Sequence, residues 1–245
     1  MNSPRHAALV TGGSSGIGLA VAGALVARGF AVTVLGRDPG RLRGAADRLG
    51  AAVAGRGSSA TGEAAVHAVV ADVAAPEAAQ AAVAAHVERW GRLDVLVNSA
   101  GVLAAGPFDS YSAATVAEVL DVDLRATILF CQAALPYLRK VARDGRPLIA
   151  NIASISGKRA DAGFSLYCAA KFGVVGFTAA LHQELLGEGV AACAICPGLV
   201  DTPMADWARS WAPRSSMLRP EDIAGAVLRL VDLPAGQVPA ELVLS

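Results

Sequence analysis

The chain carries no excess charge of either sign: 21 basic residues balance 21 acidic ones. That balance gives no electrostatic basis for binding nucleic acid or an anionic membrane. No uninterrupted apolar stretch is long enough to span a bilayer. Only Met1–His6 precede the first apolar run, so no signal peptide is expected. Cysteine is scarce, at Cys131, Cys168, Cys193 and Cys196. Cys193 and Cys196 have CxxC spacing, but they fall in the apolar run Ala191–Cys196, which reads as a strand. Residues three apart on a strand point to opposite faces, and no second Cys/His pair has zinc-like spacing. No metal site is therefore expected. The cysteines read as buried and reduced, which implies a reducing, cytoplasmic setting. No linker, composition shift or internal repeat divides residues 1–245, which read as one domain.

What is abundant is apolar surface and glycine. Hydrophobic residues make up 54% of the 245 positions and charged residues only 17%, ample for a buried core and unlike a disordered chain. Short apolar runs alternate with helical patterns. Strands are expected at Ala7–Val10, Ala31–Leu35, Val66–Ala71, Leu93–Val97, Pro147–Ala153, Ala191–Cys196 and Glu241–Leu244. Helices are expected at Ile17–Arg28, Pro39–Leu49, Pro76–Trp90, Ser165–Leu186 and Pro220–Leu233, with one long helix over Ala114–Ala142. Gly55–Gly62 reads as a glycine- and serine-rich loop. Strands alternating with helices imply right-handed crossovers, and so an α/β fold with a doubly wound parallel sheet of about seven strands and helices on both faces.

Such a sheet places its ligand beyond the carboxyl ends of its strands, where the strand order reverses. Thr11, Gly36-Arg37, Asp72, Asn98, Ser154 and Pro197-Gly198 each follow a strand and so share that edge. Thr11-Gly12-Gly13-Ser14-Ser15-Gly16-Ile17-Gly18 joins the first strand to the first helix. Backbone N–H groups and the positive end of a helix hold a pyrophosphate there, and glycine lets the backbone turn and approach the phosphates. The spacing is Gly12-xxx-Gly16-x-Gly18 rather than GxGxxG, but its place between a strand and a helix makes it a dinucleotide site. Asp72 stands where it can accept a hydrogen bond from an adenine amino group; the competing reading is a turn residue before Ala75-Pro76. An NAD site would place an acid after the second strand to bind ribose hydroxyls. This chain has Gly36-Arg37 instead, and arginine pairs with a 2′-phosphate, so NADP(H) is expected ahead of NAD(H). Asp38 complicates that reading, since it can bind hydroxyls itself.

Tyr167 and Lys171 lie four apart on the helix Ser165–Leu186, hence on one face. A free tyrosine titrates near a pKa of about 10, too high for efficient proton exchange near neutrality, and an adjacent ammonium stabilises its phenolate. The pair alone is a weak signal. It follows Ser154 by thirteen residues, and Ser154 lies on the same edge as the glycine turn. The constellation is far more specific than its parts.

On these residues the chain resembles the short-chain dehydrogenase/reductase family along nearly its full length. The matching segments are Thr11–Gly18, Asp72-Val73, Gly91-Arg92-Leu93-Asp94-Val95-Leu96-Val97-Asn98-Ser99-Ala100-Gly101, Ser154, Tyr167–Lys171, and Pro197-Gly198 with Thr202. The resemblance implies a single-domain Rossmann fold and hydride transfer between NADP(H) and a small-molecule carbonyl or secondary alcohol, most simply as a ketone or aldehyde reductase. Tyr167 would be the general acid in reduction and the base in oxidation. Lys171 would bind the nicotinamide ribose and tune Tyr167, and Ser154 would hydrogen-bond the substrate oxygen. Gly12, Ser14, Ser15, Gly16, Ile17 and Gly18 would hold the pyrophosphate, with Arg37, Asp72 and Val73 at the adenosine end. Asn98, Ala100 and Gly101 would line the cofactor near the switch point, Pro197, Gly198 and Val200 would line it after the sixth strand, and Thr202 would reach its carboxamide or its phosphates. Residues 203–218, with Met204, Trp207 and Trp211, would form a substrate lid; either these side chains meet an apolar or cyclic substrate, or they pack the lid down. The resemblance also implies a homodimer or homotetramer. An alcohol, hydroxy-acid or sugar dehydrogenase running in the oxidative direction is the alternative, and a cofactor-binding scaffold without turnover the remote one.

Two departures stand out. The family commonly has Asn-Asn-Ala-Gly where this chain has Asn98-Ser99-Ala100-Gly101, a mild change. It also usually has an asparagine where this chain has Asp123, within Val122-Asp123-Leu124. In the family that residue helps hold a water that relays protons to the lysine. Either its backbone carbonyl is the essential contact and aspartate substitutes, or the added carboxylate favours the ammonium of Lys171 and opposes the phenolate.

Overall fold

In the computed structural model, residues 5–54 and 65–245 are described; the Gly55–Gly62 stretch lies outside them. Seven strands form one sheet: β1 (Ala7–Thr11), β2 (Ala31–Gly36), β3 (Val66–Val70), β4 (Val95–Asn98), β5 (Leu148–Ile152), β6 (Ala191–Pro197) and β7 (Glu241–Leu244). Their order is β3-β2-β1-β4-β5-β6-β7, and every pairing is parallel. Among the described residues the α-helices between them are α1 (Gly16–Ala27), α2 (Pro39–Ala54), α3 (Ala78–Trp90), α4 (Ala113–Leu120), α5 (Ala126–Val141), α6 (Ser165–Leu185) and α7 (Pro220–Asp232). This is a Rossmann-like α/β fold. Val10 lies between Val34 of β2 and Val97 of β4, so the order reverses on either side of β1.

Side-chain alternation divides the core into two layers. Val10, Val34, Val97, Ala150 and Ile195 face α1 and α7, where they meet Val21, Leu25, Ile223 and Val227. Leu9, Leu35, Leu96, Ile149 and Ala192 face the other way, against Val83 of α3, Phe130 and Leu138 of α5, and Leu181 of α6. Strands buried on both faces explain the continuous apolar runs in the sequence. Cys193 belongs to the α1/α7 layer and Cys196 packs with Val174 of α6, so the two point to opposite faces. All four cysteines are free and buried. Burial pushes the Cys193 thiol up to about 12 and that of Cys196 up to about 11. Among the described residues no cluster of three or more His, Cys, Asp or Glu side chains is poised for a metal, and no helix is long and apolar enough to cross a membrane.

Several boundaries differ from expectation. β4 starts at Val95; the main chain of Asp94 still bonds to Ala7 and Leu148, and its carboxylate accepts from the Ala7 N–H (2.8 Å) and the Arg92 guanidinium. α2 runs on to Ala54, and α3 starts at Ala78, after a turn built on Asp72. The largest difference is the long helix expected over Ala114–Ala142. It is broken into α4 and α5 by a single π-helical turn, Asp121–Arg125. The wider turn rephases α5 so that Phe130, Ala134 and Leu138 meet the sheet, and it carries Asp123 into the protein interior. α6 lies close against this turn: a Cβ on Gly173 would sit 2.9 Å from Leu124 Cδ2.

Candidate active site

The carboxyl edge of the sheet opens into a cleft of about 610 Å³. Thr11, the last residue of β1, accepts hydrogen bonds on its hydroxyl from the N–H groups of Ser99 (3.0 Å) and Ala100 (3.1 Å). These pin the exit of β4 to that of β1 at the point of reversal. The glycine turn follows. Gly12 has φ +66°, and a Cβ there would sit 2.9 Å from the Ala100 Cα. A Cβ on Gly18 would strike the Gly12 carbonyl. Both positions therefore require glycine. Ser15 caps α1 without a side-chain hydrogen bond, and no acidic residue occupies the first helical turn. The first amides of a twelve-residue helix thus point toward the cleft with nothing anionic before them. Gly12, Ser14, Ser15, Gly16, Ile17 and Gly18 all line it.

Arg37, between β2 and α2, and Arg41, in the first turn of α2, line the end of the cleft beside β2. Arg37 lies 3.9 Å from the Glu118 carboxylate, both exposed. Asp38 does not line the cleft. Its Oδ1 accepts from the Arg41 N–H at 2.8 Å, which is the main reason its carboxyl titrates below the usual range. Asp38 thereby braces the start of α2, and its Oδ2 lies 3.5 Å from the Arg41 guanidinium. Arg41 was missed in the sequence, although its spacing from Arg37 was visible. Ala71 and Val73 line the same end, whereas Asp72 is exposed and off the wall. Its Oδ1 accepts from the Ala74 N–H at 3.0 Å, a turn-forming contact.

Asn98 is not on the cleft either. Its side chain is buried beneath β4 and donates to Asn151 Oδ1 at 2.8 Å; Asn151 donates to Thr178 Oγ1 at 2.9 Å. The residue expected to line a cofactor instead braces β4, β5 and α6 from within. Ala100 and Gly101 do line the cleft, as do Pro197, Gly198, Val200 and Thr202.

Ser154, Tyr167 and Lys171 converge on the same cleft. Ser154 follows β5 in extended conformation, and its Oγ accepts from the Ser156 N–H at 3.1 Å. That bond fixes the oxygen and leaves the hydroxyl proton to be donated elsewhere. Gly157, unremarked in the sequence, is what lets this turn lie on α6: a Cβ there would be 2.7 Å from the Lys171 carbonyl oxygen. Lys171 is 4% exposed, with its Nζ 5.4 Å from the centre of the Tyr167 ring. The Nζ donates to the Ile152 carbonyl at 3.3 Å and lies 3.1 Å from Asp123 Oδ2. Asp123 is 1% exposed; its Oδ1 accepts from the Val102 N–H at 2.8 Å, and its main-chain carbonyl accepts from the Thr127 hydroxyl at 3.1 Å. Oδ2 has no aligned hydrogen-bond donor, so its contact with Lys171 is an ion pair. In this structure the carboxylate of Asp123 lies against the lysine, while its main-chain carbonyl is turned to Thr127. Burial opposes the charge on Lys171 and is the largest single influence, but Asp123 and Tyr167 outweigh it, and the ammonium is held above its usual range.

The opposite wall is the segment after β6, with 3₁₀ turns at Pro203–Ala208 and Arg214–Ser216. Ala205, Ala208, Ala212 and Met217 are its buried side, packed with Leu199. Met204, Trp207 and Trp211 face the cleft.

The short chain dehydrogenase family model matches residues 6–213. The chain belongs to the short-chain dehydrogenase family. It is an oxidoreductase acting between CH–OH and C=O groups. Among curated relatives of this short-chain dehydrogenase, the 2-(R)-hydroxypropyl-CoM dehydrogenase of Xanthobacter autotrophicus is 36% identical over 203 residues, covering 82% of this chain and 76% of the relative. Among solved structures, a phenylalanine-to-tryptophan variant of actinorhodin polyketide ketoreductase with NADPH superposes with a TM-score of 0.86 at 33% identity, covering 98% of this chain and 94% of that one. The 3-ketoacyl-(acyl-carrier-protein) reductase of Brucella melitensis, complexed with NADH, gives 0.85 at 25% identity, covering 98% and 96%.

Proposed function

We propose that this short-chain dehydrogenase reduces a ketone or aldehyde with NADPH, as a single catalytic domain. The observation that carries the reading is the polarity of one cleft. Ser154, Tyr167 and Lys171 occupy one part of it, and two guanidinium groups without a lining carboxylate occupy its adenosine end. A dinucleotide fits the cradle: the Gly12 and Gly18 positions admit no side chain, and the amides of α1 are uncapped. The amides of Gly12–Gly18 would hold the pyrophosphate and Arg37 with Arg41 the 2′-phosphate. Val73 would meet the adenine, with Asp72 holding the turn that presents it. Ala100, Gly101, Pro197, Gly198, Val200 and Thr202 would line the nicotinamide end, and Lys171 would bond its ribose. When bound, NADPH supplies the two electrons and the hydrogen of the reduction.

The protein's own part is orientation and the proton. Ser154 donates to the substrate oxygen as negative charge develops on it. Tyr167 gives its phenolic proton to the same oxygen. The ammonium of Lys171 stabilises the charge left on Tyr167, and the Asp123–Lys171 pair fixes that ammonium in place. Residues 203–218 act as a lid that excludes water. The Tyr167→Phe variant tests the assignment: turnover falls by orders of magnitude while NADPH binding, followed by fluorescence, persists. Undiminished turnover refutes it. The family resemblance also supports a homodimer or homotetramer, which light scattering on the purified protein resolves.

A further inference from the structure

Resting on the reduction reading above, we propose that the substrate is an uncharged ketone bearing an aromatic ring system, held against a wall formed by Phe164, Trp207 and Trp211. The centres of Phe164 and Trp207 are 5.2 Å apart, and those of Trp207 and Trp211 5.7 Å apart. The three rings make a continuous surface that runs from the loop preceding α6 onto the segment after β6. All three line the same cleft as Ser154 and Tyr167.

These rings are not needed to hold the segment down. Its buried side consists of Ala205, Ala208, Ala212 and Met217. Trp207 remains 45% exposed, Trp211 65% and Met204 42%. A contiguous exposed apolar patch of this kind marks a ligand surface, whereas single exposed apolar residues do not. Indole rings present a large rigid face to a planar partner, and ring pairs gain stability beyond the area they bury.

Charge sharpens the class. Among the described residues the charged groups lining the cleft at this end are Lys171, paired with Asp123 at 3.1 Å, and Arg159 and Asp161, which pair with each other at 3.5 Å. The arginines of the neighbouring segment are likewise matched: Arg209 with Asp206 at 2.7 Å, and Arg214 with Asp201 at 3.4 Å. No net positive charge is left to receive a carboxylate or phosphate on the substrate. At the adenosine end Arg37 and Arg41 line the cleft while their nearest carboxylates, Glu118 at 3.9 Å and Asp38 at 3.5 Å, do not. The carbonyl would therefore point to Ser154 and Tyr167, with the neutral ring system along the wall.

The test uses four ketones with NADPH: 2-acetonaphthone, acetophenone, its saturated counterpart cyclohexyl methyl ketone, and anionic 4-acetylbenzoate. The expected kcat/KM order is the order just given for the first three, with roughly tenfold between acetonaphthone and the saturated ketone from two ring contacts. That preference collapses toward unity in Trp207→Leu, and 4-acetylbenzoate is poorer than acetophenone. Binding is read independently from tryptophan fluorescence. The only other tryptophan, Trp90, is buried and bonded to the Thr33 hydroxyl, so saturable quenching by 2-acetonaphthone reports the wall. Quenching is lost in the Trp207→Leu/Trp211→Leu double variant, whose folding is checked by thermal melting. Equal kcat/KM for aromatic and saturated ketones, preference for the anion, or no quenching overturns the proposal while leaving the reduction reading intact. Saturable quenching with no NADPH oxidation by any ketone does the reverse, refuting the reduction reading and upholding the ring-binding wall.

Discussion

The ion pair between Asp123 and Lys171 sets the charge of the proton-donating machinery, so Asp123→Asn is the perturbation with most to say. The two groups are 3.1 Å apart and buried. At an effective dielectric constant near 20, charges at that separation attract by about 5 kcal/mol. Asparagine removes this attraction while the burial that opposes the lysine charge stays. Protons then leave the coupled Tyr167–Lys171 pair at lower pH. A shift of one pH unit corresponds to about 1.4 kcal/mol, so a quarter of the lost attraction is enough to produce it. Reduction needs the tyrosine proton in place and the ammonium charged. The alkaline limb of kcat/KM for ketone reduction should therefore move down by about one unit or more. The assay is a pH–rate profile of NADPH oxidation for both proteins, with thermal melts beside it. A limb that stays in place refutes the electrostatic role. Asp123→Ala goes further, because it also strips the Val102 N–H of its acceptor and leaves Lys171 without its counter-ion. Breaking a buried pair in this way costs about 3–5 kcal/mol of folding stability.

Three further outcomes follow from other parts of the molecule. Replacing Arg37 and Arg41 together by alanine should raise KM for NADPH roughly 10-fold or more, the loss of charge-assisted bonds to a phosphate, while KM for NADH changes little; parallel changes with both cofactors would sink the 2′-phosphate assignment. His86 is buried between the Thr33 hydroxyl (2.8 Å) and the Arg92 carbonyl (3.0 Å), and burial holds it down at about 4. It is neutral in both states above its usual value near 6.5. Below that value the unfolded chain takes up the proton first, so stability falls by about 2 kcal/mol between pH 7 and pH 5; urea unfolding should show this loss, and His86→Gln should abolish its share. Asn98→Leu, finally, should lower the melting temperature, because Asn151 Oδ1 loses its amide donor, far more than it raises KM for NADPH, since the Asn98 side chain braces strands and does not line the cleft.

Most of the fold was legible because its signals are local. Apolar runs such as Ala7–Val10 and Ala191–Cys196 are buried on both faces and read as central parallel strands at once. The Gly12–Gly18 turn, Ser154 and the Tyr167–Lys171 pair were legible because backbone geometry and helical spacing fix where they sit. The boundary that moved most did so for a reason local periodicity does not carry. The π turn at Asp121–Arg125 leaves no trace in a 3.6-residue period, because one extra residue in one turn is indistinguishable from imperfect amphipathicity.

Side-chain direction was the information the sequence withheld, and it decides the site. Asn98 and Ala100 are two residues apart at the same strand exit, yet one faces inward to Asn151 and the other lines the cleft. Asp38 and Arg37 are adjacent, yet the carboxylate turns to the Arg41 amide and the guanidinium reaches the cleft. Asp123 shows the point most fully. Its identity as a departure from the family pattern was visible, but two incompatible consequences followed from identity alone. The π turn carries the residue inward, the Val102 amide takes one carboxylate oxygen, and the other is left to Lys171. The main-chain carbonyl, the other candidate contact, accepts instead from the Thr127 hydroxyl, so it is the placement of the residue and not its identity that decides which group faces the lysine.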